Sequence, residues 1–133
     1  PEAVTAALAG RRPVIRSDGS PVRDFLYVED AVEAYLSIWA ALAGGRGAGE
    51  AFNAGGGHPR TVREVVALVC AVAGTNVEPD IRGAGTPAGE TDRQYVDSSK
   101  LHALTGWAPR VGLEEGLRRT VDWYREHAAA LLP

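Results

Sequence analysis

The chain has 133 residues, a formal net charge of −3 and a single cysteine, Cys70. A slightly acidic chain argues against nucleic acid and anionic membranes as partners, because both recruit basic patches. One cysteine excludes an internal disulfide and is typical of a reducing compartment, so we expect a cytoplasmic protein. The sequence shows neither an apolar run of membrane-spanning length nor a signal-peptide pattern.

The length predicts one domain with its own core. The sequence contains no methionine, even at position 1, and it begins inside an apparent helix without a capping residue. These features indicate a fragment of a longer polypeptide. Removal of the initiator methionine from a short natural chain is the alternative.

The first part of the chain predicts a helix followed by two strands. Residues 3–8 have a helical pattern that ends at Gly10, a residue suited to the C′ position. Residues 13–16 predict a short strand, and the turn residues 18–21 follow it. β-Branched and aromatic side chains predict a second strand from Val22 to Val28.

A long amphipathic helix is predicted over residues 31–42, with Asp30 as its N-cap. Its apolar side chains recur at helical spacing. We therefore expect the following residues to face the core: Ala31, Val32, Tyr35, Ile38, Trp39 and Leu42.

The middle of the chain combines a strand, a glycine turn and a helix. Residues 50–53 predict a strand that leads into Gly55-Gly56-Gly57. This triplet matches neither the dinucleotide fingerprint nor a P-loop, so a tight connection is favoured over a phosphate cradle. Thr61 and Glu64 have capping-box spacing, and the helix that they start ends at Gly74. Its core-facing residues are predicted to be Val62, Val65, Val66, Val69, Cys70 and Val72.

The second half predicts short extended segments and two helices. The segments are a strand over 77–81, a loop over 82–90, an extended stretch over 93–96, a helix over 98–105 capped by Asp97, and a last helix from Leu113. Leu117, Val121 and Tyr124 are expected to pack that last helix onto the core, and residues 131–133 are expected to fray.

The sequence offers no assembled catalytic or metal-binding motif. His58, His102 and His127 are scattered, and neither a nucleophile elbow nor zinc-ligand spacing occurs. Arg23 is the one binding candidate, because a guanidinium flanked by aromatic residues beside a polar turn suits an anion. An ion pair with a nearby carboxylate at a strand edge is the alternative, and the residue types leave both open.

Five stretches, in order, resemble the extended short-chain dehydrogenase/reductase superfamily, the NAD-dependent nucleotide-sugar epimerases and dehydratases. They are Arg23-Asp24-Phe25-Leu26-Tyr27-Val28-Glu29-Asp30, Phe52-Asn53-Ala54-Gly55-Gly56, residues 61–66, residues 89–109 with Asp97-Ser98-Ser99-Lys100 and Gly106-Trp107-Ala108-Pro109, and residues 113–124. Within that superfamily, residues 13–19 and 93–95 are most similar to CDP-glucose 4,6-dehydratases.

The resemblance implies an α/β fold of four or five helices with several short strands, the C-terminal lobe of a Rossmann-type enzyme. Residues 1–133 would be its nucleotide-sugar binding domain. In this superfamily an N-terminal Rossmann domain binds NAD and carries a catalytic Tyr-x-x-x-Lys, and this sequence contains neither pattern. We therefore expect NAD in the intact enzyme, bound by the missing domain, and no cofactor, metal or catalytic residue in this chain. The intact enzyme is expected to be a homo-oligomer, and the surface facing the missing domain to be exposed, apolar and prone to self-association.

The resemblance also implies a substrate site. It assigns Arg23 to the diphosphate, Arg93 to a second phosphate contact, Pro13, Val14 and Ile15 to a position along the base, and Asn53 to the same pocket. The implied role is to hold a CDP-glucose-like nucleotide sugar for 4,6-dehydration. A 4-epimerase or a reductase, or a non-catalytic binding module, remains the alternative.

Overall fold

The computed structural model describes residues 1–86 and 88–127. The expected fraying of residues 131–133, and Pro87 of the predicted loop, lie outside the described residues. The chain divides into two compact units. Unit 1 comprises Pro1–Arg23, Arg60–Gln94 and the described part of Glu114–Pro133, and unit 2 comprises Asp24–Pro59 and Tyr95–Leu113.

The described residues form five helices and five strands of two residues each, which confirms the predicted α/β class. In chain order they are α1 (Glu2–Leu8), β1 (Val14–Ile15), β2 (Val22–Arg23), α2 (Val28–Ala43), β3 (Arg60–Thr61), α3 (Val62–Ala73), β4 (Asp80–Ile81), β5 (Arg93–Gln94), α4 (Ser99–Thr105) and α5 (Leu113–Glu126). None of the helices in these residues is both long and apolar enough to cross a membrane.

Unit 1 is built around α3, whose apolar face was predicted correctly. Its core consists of Val4, Ala7, Ile15, Val66, Val69, Cys70 and Val121, with Val62, Val72, Leu117 and Tyr124 packed against it. Burial of this cluster supplies most of the driving force for folding. The same burial raises the pKa of the Cys70 thiol, so Cys70 is a core residue rather than a nucleophile.

The helix ends in unit 1 follow the local signals in the sequence. Gly10 has φ +65° after α1 and Gly74 has φ +74° after α3, and both ends carry paired backbone bonds of the Schellman type. The predicted capping box is present. The Thr61 hydroxyl accepts the Glu64 N–H at 3.2 Å, and the Glu64 carboxylate accepts the Thr61 N–H at 2.7 Å. The Glu64 carboxylate also accepts the Thr61 hydroxyl at 2.8 Å, and the two bonds that it accepts from Thr61 lower the pKa of Glu64.

Two small sheets complete unit 1. β1 pairs in parallel with β4, and β2 lies between antiparallel β3 and parallel β5. β3 was not predicted, and the predicted strand from Val22 to Val28 is too long, because β2 ends at Arg23. Composition favoured a long strand, but only positions 22 and 23 find hydrogen-bonding neighbours.

Unit 2 packs α2 against α4. Its core consists of Ala34, Leu101 and Trp107, with Leu26, Ile38, Phe52 and Ala54 around it. The predicted strand over 50–53 is wrong, because the described structure assigns no strand there. Lys100 holds this segment instead, with its Nζ 3.0 Å from both the Ala51 carbonyl and a Glu50 carboxylate oxygen. The predicted cap at Asp97 is displaced by one residue, because the N-cap of α4 is Ser98. The Asp97 carboxylate still accepts the N–H of Ser99, the first residue of α4, at 2.8 Å.

The prediction for the start of α2 is wrong. The helix begins at Val28, so Asp30 is its third residue and not its N-cap. Asp30 is only 3% exposed. Its carboxylate accepts the N–H groups of Arg110 at 3.1 Å and Val111 at 2.9 Å, and the Trp107 indole donates to its carbonyl at 3.2 Å. A carboxylate is buried only where hydrogen-bond donors satisfy it. The donors to Asp30 come from residues 110 and 111, about 80 residues further along the chain.

The predicted buried face of α2 is confirmed for Ile38, which packs against the core of unit 2, and is wrong for Val32, Tyr35, Trp39 and Leu42, which are exposed. The buried residues are Asp30, Ala34 and Ala41, whereas Tyr35 is 77% and Trp39 is 68% exposed. The helix is apolar on nearly every side, so its periodicity did not identify the packed face. Ala34, Ala41 and Ile38 of α2 face inward, whereas Tyr35, Leu36, Trp39 and Leu42 are exposed.

Replacing Asp30 with Ala is expected to destabilise the protein by about 2–4 kcal/mol, because two partly buried N–H groups lose their acceptor. Chemical denaturation measures this difference. Asp30→Asn keeps one acceptor oxygen and is expected to lose less stability. Equal stability of the alanine variant and the parent would contradict the proposed role of this carboxylate.

Candidate functional site

Arg23 lies at the end of β2 with its side chain 22% exposed. Its Nη1 donates to the carbonyls of Val22 and Thr91, both at 2.9 Å. Its Nη2 lies 3.3 Å from a carboxylate oxygen of Glu90. The two carbonyls fix the guanidinium group between β2 and the segment before β5. Its charge is therefore offered at a defined place rather than on a freely moving side chain.

The guanidinium keeps one edge for a further anion. Neither carbonyl contact uses the Nε–H, and among the described residues the Nε–H has no acceptor. The Nε and Nη2 hydrogens point in the same direction and suit two oxygens of one anionic group. The Glu90 carboxylate already reaches Nη2 from this side. The two predicted roles of Arg23, an ion pair with a carboxylate and a binding site for an anion, therefore involve the same edge of the guanidinium group.

Arg93 lies on β5, next to Arg23 in the sheet. Val22 is the register partner of Arg93, and Arg23 is the partner of Gln94. Register partners share a face of a sheet and successive residues alternate. Arg93 therefore leaves the backbone with Val22 on one face, and Arg23 leaves with Gln94 on the other. The backbones of Arg23 and Arg93 therefore lie on neighbouring strands, but their Cβ atoms are on opposite faces of the sheet.

The segment assigned to the base is largely part of the core. Pro13 and Ile15 are fully buried, and Ile15 belongs to the apolar cluster of unit 1. Their carbonyls accept the N–H groups of Asp80 and Arg82 across to β4. Val14 points away from Ile15 and is half-buried, so its side chain is the one available for a ligand.

Asn53 belongs to unit 2 and lies in the segment before the glycine turn. The residue is exposed, and its side chain makes no hydrogen bond within the described part of the chain. Its proposed contact with a nucleotide sugar stays a prediction.

The glycine turn is a tight connection. Asp24 holds it, accepting the Gly57 N–H at 3.1 Å and the His58 N–H at 3.3 Å, while Gly55 donates to the Ser98 hydroxyl at 2.9 Å. A Cβ on Gly56 would lie 2.2 Å from the Phe25 carbonyl oxygen, and a Cβ on Gly55 would lie 2.6 Å from Asp24. Proximity to the Phe25 backbone therefore requires glycine at position 56, whereas at position 55 a methyl group would collide with the side chains of Asp24 and Val96.

Most N–H groups of the same turn already have acceptors within the protein. A pyrophosphate cradle needs backbone N–H groups that point into an open site. Here the N–H groups of Gly55, Gly57 and His58 already bind Ser98 and Asp24. These three N–H groups are therefore not directed at a phosphate group.

Sequence reasoning missed three contributors to this region: Asp24, Glu90 and Thr91. Asp24 and Glu90 carry the only relevant signal, since both belong to the stretches that resemble the superfamily. Thr91 acts through its carbonyl, which no side-chain pattern reveals.

A nearby turn is also well ordered by local contacts. The Asp18 carboxylate accepts the N–H and the hydroxyl of Ser20, and these bonds lower its pKa. The Arg63 guanidinium donates to the Asp18 carbonyl at 3.0 Å and packs against Gly19, whose φ is +88°. The turn therefore enters β2 in a fixed direction.

Comparison with known proteins places these features in context. The family model described as GDP-mannose 4,6 dehydratase matches residues 1–120. A dTDP-glucose 4,6-dehydratase of Xanthomonas campestris pv. campestris is 37% identical over 132 residues, covering 93% of this chain and 36% of that protein. The chain thus spans little more than a third of the length of this relative.

Two solved structures are similar as well. The UDP-glucose 4-epimerase of Thermotoga maritima, determined with UDP-glucose, has a TM-score of 0.83 at 33% identity and covers 95% of this chain and 38% of that one. The dTDP-glucose 4,6-dehydratase of Bacillus anthracis, in complex with NAD, has a TM-score of 0.78 at 34% identity. It covers 96% of this chain and 38% of that one.

Gly56→Ala is expected to destabilise the protein by about 2–3 kcal/mol or more, because the added methyl group overlaps the Phe25 carbonyl. Gly112→Ala is the matched control. A Cβ there meets no atom within 4 Å, so its stability should stay within about 0.5 kcal/mol of the parent. Thermal unfolding of both variants measures the effect, and equal midpoints would show that Gly56 is not required.

Proposed function

Because this chain belongs to the GDP-mannose 4,6-dehydratase family of extended short-chain dehydrogenases/reductases, which act as nucleotide-sugar dehydratases and epimerases, we propose that it binds the substrate of such an enzyme, with Arg23 on the diphosphate. The reaction that we assign to the intact enzyme is 4,6-dehydration of a CDP-glucose-like nucleotide sugar. The whole enzyme's activity is part of this proposal, since the chain covers 36% of its dehydratase relative.

The observation that carries the proposal is the edge of Arg23 that faces Glu90. A carboxylate oxygen lies 3.3 Å from Nη2, where an oxygen of a diphosphate would also bind. Diphosphates carry several oxygens at the spacing of the guanidinium fork, and arginine stays charged at every physiological pH. Binding energy at the diphosphate is remote from the reacting sugar carbons, so it can orient the sugar for the chemistry.

Glu90 has a defined part in this proposal. It is a competing anion, and a diphosphate must displace it from Nη2. The Glu90 side chain is half-exposed, so the displaced carboxylate reaches water at little cost. The carbonyls of Val22 and Thr91 keep Arg23 in place during the exchange.

The other assigned residues contribute less directly. Arg93 is proposed to add a positive charge from the neighbouring strand β5. Because its Cβ lies on the opposite face of the sheet from that of Arg23, its side chain would reach the ligand around the edge of β5. Val14 supplies an apolar side chain for the base, while Pro13 and Ile15 support it from the core. Asn53 is proposed to contact the nucleotide sugar.

NAD is proposed to bind the intact enzyme through residues outside this chain. The B. anthracis dehydratase is described in complex with NAD. In the present chain the N–H groups of Gly55, Gly57 and His58 already have acceptors, and the sequence lacks a Tyr-x-x-x-Lys pair. The contribution of these residues is therefore to bind and orient the nucleotide sugar.

A second candidate function is 4-epimerisation of a UDP-sugar. It is favoured by the similarity to the T. maritima epimerase, which was determined with UDP-glucose and is 33% identical. Both reactions use the same diphosphate contact, so Arg23 does not separate them. The preferred base separates the substrates, and it is measurable on this chain.

Arg23→Ala is expected to weaken binding of CDP-glucose by about 10- to 100-fold, the usual effect of losing a charged bidentate hydrogen bond. Isothermal titration calorimetry of the 133-residue chain measures it. Arg118→Ala is the matched control, because Arg118 is an exposed arginine of the same unit that pairs with Glu114 and Glu115 on α5. Equal weakening in both variants, or none in Arg23→Ala, would contradict the diphosphate role.

Titration with UDP-glucose and dTDP-glucose tests which base the chain prefers, and a preference for UDP-glucose would favour the second candidate function.

Glu90→Gln is expected to strengthen nucleotide binding several-fold, because the neutral amide competes less well with a diphosphate for Arg23. The gain should disappear in the Arg23→Ala background, which the same titration tests. Weaker binding in Glu90→Gln would mean that Glu90 positions Arg23 instead of competing for it.

A further inference from the structure

The three-stranded sheet of unit 1 carries a row of polar side chains on one face. Its strands lie in the order β3, β2, β5, and Arg23 of β2 is the register partner of both Arg60 on β3 and Gln94 on β5. Register partners share a face of a sheet. Arg23 therefore has a second arginine on one side and a neutral amide on the other. Arg60 has no part in the function proposed above.

The Arg60 side chain is exposed and offers its N–H groups to a ligand. It makes no hydrogen bond or ion pair with any residue that the structure describes. Glu64 is a carboxylate close enough to sense its charge: the bonds from Thr61 lower the pKa of Glu64, and the positive charge of Arg60 adds to this effect. The Glu64 Oε2 already accepts the N–H and the hydroxyl of Thr61. Glu64 is thus held in the capping box and does not neutralise Arg60.

Two arginines opposite each other on neighbouring strands repel one another when no anion is bound. Opposed residues of an antiparallel pair have Cβ atoms about 4.5–5.5 Å apart, and like charges at that spacing destabilise a sheet. Glu90 pairs with Arg23, whereas no described residue forms an ion pair with Arg60. The pair therefore retains a local positive charge in a chain whose formal net charge is −3. An anion with two groups of oxygens side by side would remove the repulsion.

Arg93 is less well placed than Arg60 for such an anion. The Cβ atom of Arg93 lies on the opposite face of the sheet, together with those of Val22 and Thr61. Arg60 and Arg23 leave the same face from adjacent strands. An anion bound at Arg23 is therefore met by Arg60 directly, and by Arg93 only around a strand edge.

We propose that Arg60 is a second diphosphate-binding arginine, which binds one phosphoryl group while Arg23 binds the other. This inference rests on the proposed function, because it requires a diphosphate at Arg23. The Nε and Nη2 edge of Arg23 suits the oxygens of a single phosphoryl group, and the guanidinium of Arg60 suits those of its neighbour. The Arg23–Arg60 pair thereby favours nucleoside diphosphates over nucleoside monophosphates. Arg93 adds charge from the other face of the sheet.

The test is isothermal titration calorimetry of the 133-residue chain with CDP-glucose and with CMP. Arg60→Ala is expected to weaken CDP-glucose binding by about 5- to 30-fold, as the loss of a partly exposed charged contact does. CMP has one phosphoryl group, so only one of the two variants Arg23→Ala and Arg60→Ala should weaken CMP binding. Equal weakening of CMP binding in both variants would overturn the assignment of one phosphoryl group to each arginine.

Arg11→Ala is the matched control for the lost charge. Arg11 is an exposed arginine of unit 1 that lies outside the three-stranded sheet, and its side chain forms no ion pair within the described residues. Its CDP-glucose affinity should stay within about 2-fold of the parent. If Arg60→Ala behaves like Arg11→Ala while Arg23→Ala binds weakly, this inference is overturned and the proposed function stands. Unchanged affinity in Arg23→Ala as well would overturn both.

Thermal unfolding gives a second measurement that needs no ligand. Arg60→Gln is expected to raise the unfolding midpoint of the free chain by about 1–3 °C, because the repulsion between opposed arginines is removed. The further rise caused by CDP-glucose should be smaller in Arg60→Gln than in the parent, since the variant binds the ligand less tightly. Arg60→Lys keeps the charge and should keep the parent's midpoint. A lower midpoint of free Arg60→Gln would show that Arg60 stabilises the fold instead, and would overturn the proposal.

Discussion

Hydrogen bonds from charged side chains to distant main-chain groups are the constraint on which both units depend. Within the eight residues from Arg23 to Asp30, three such side chains are used. Arg23 holds the Thr91 carbonyl, Asp24 holds the Gly57 and His58 N–H groups, and Asp30 holds the Arg110 and Val111 N–H groups. The strands have only two residues each, so sheet ladders provide little of this order. Hydrogen bonds from charged side chains hold the loops in place instead, and such bonds are stronger than those between neutral groups.

The candidate site follows from that arrangement. The contact that fixes Arg23 uses only its Nη1, and the remaining edge stays directed at an anion. In the described structure that anion is Glu90, and in the proposed function it is a diphosphate. A residue can thus stabilise the fold and bind a ligand with different hydrogens of one guanidinium group.

The sequence predicted best where the signal was local. The Thr61–Glu64 capping box, the glycines after α1 and α3, and the valine face of α3 all depend on residues within one or two turns, and all are present. The sequence predicted worst where the local pattern allows an element to pack against more than one neighbour. α2 is apolar on both faces, so composition did not decide which face packs, and the strand at residues 50–53 lacked a partner. Of the site, Arg23 was recognisable as a type of residue, but Glu90 and the Thr91 carbonyl were not.

The sequence by itself determined the class of fold, the family, and the positions of most helix ends, because these depend on periodicity, on capping chemistry and on motifs in a fixed order. The tertiary structure alone decided that Asp30 lies buried inside a helix, that Arg23 and Arg93 stand on neighbouring strands, and that Tyr35 and Trp39 face outward. Each of these depends on contacts between residues far apart in the chain. Such contacts are selected by packing and hydrogen-bond satisfaction in three dimensions, which no local pattern records.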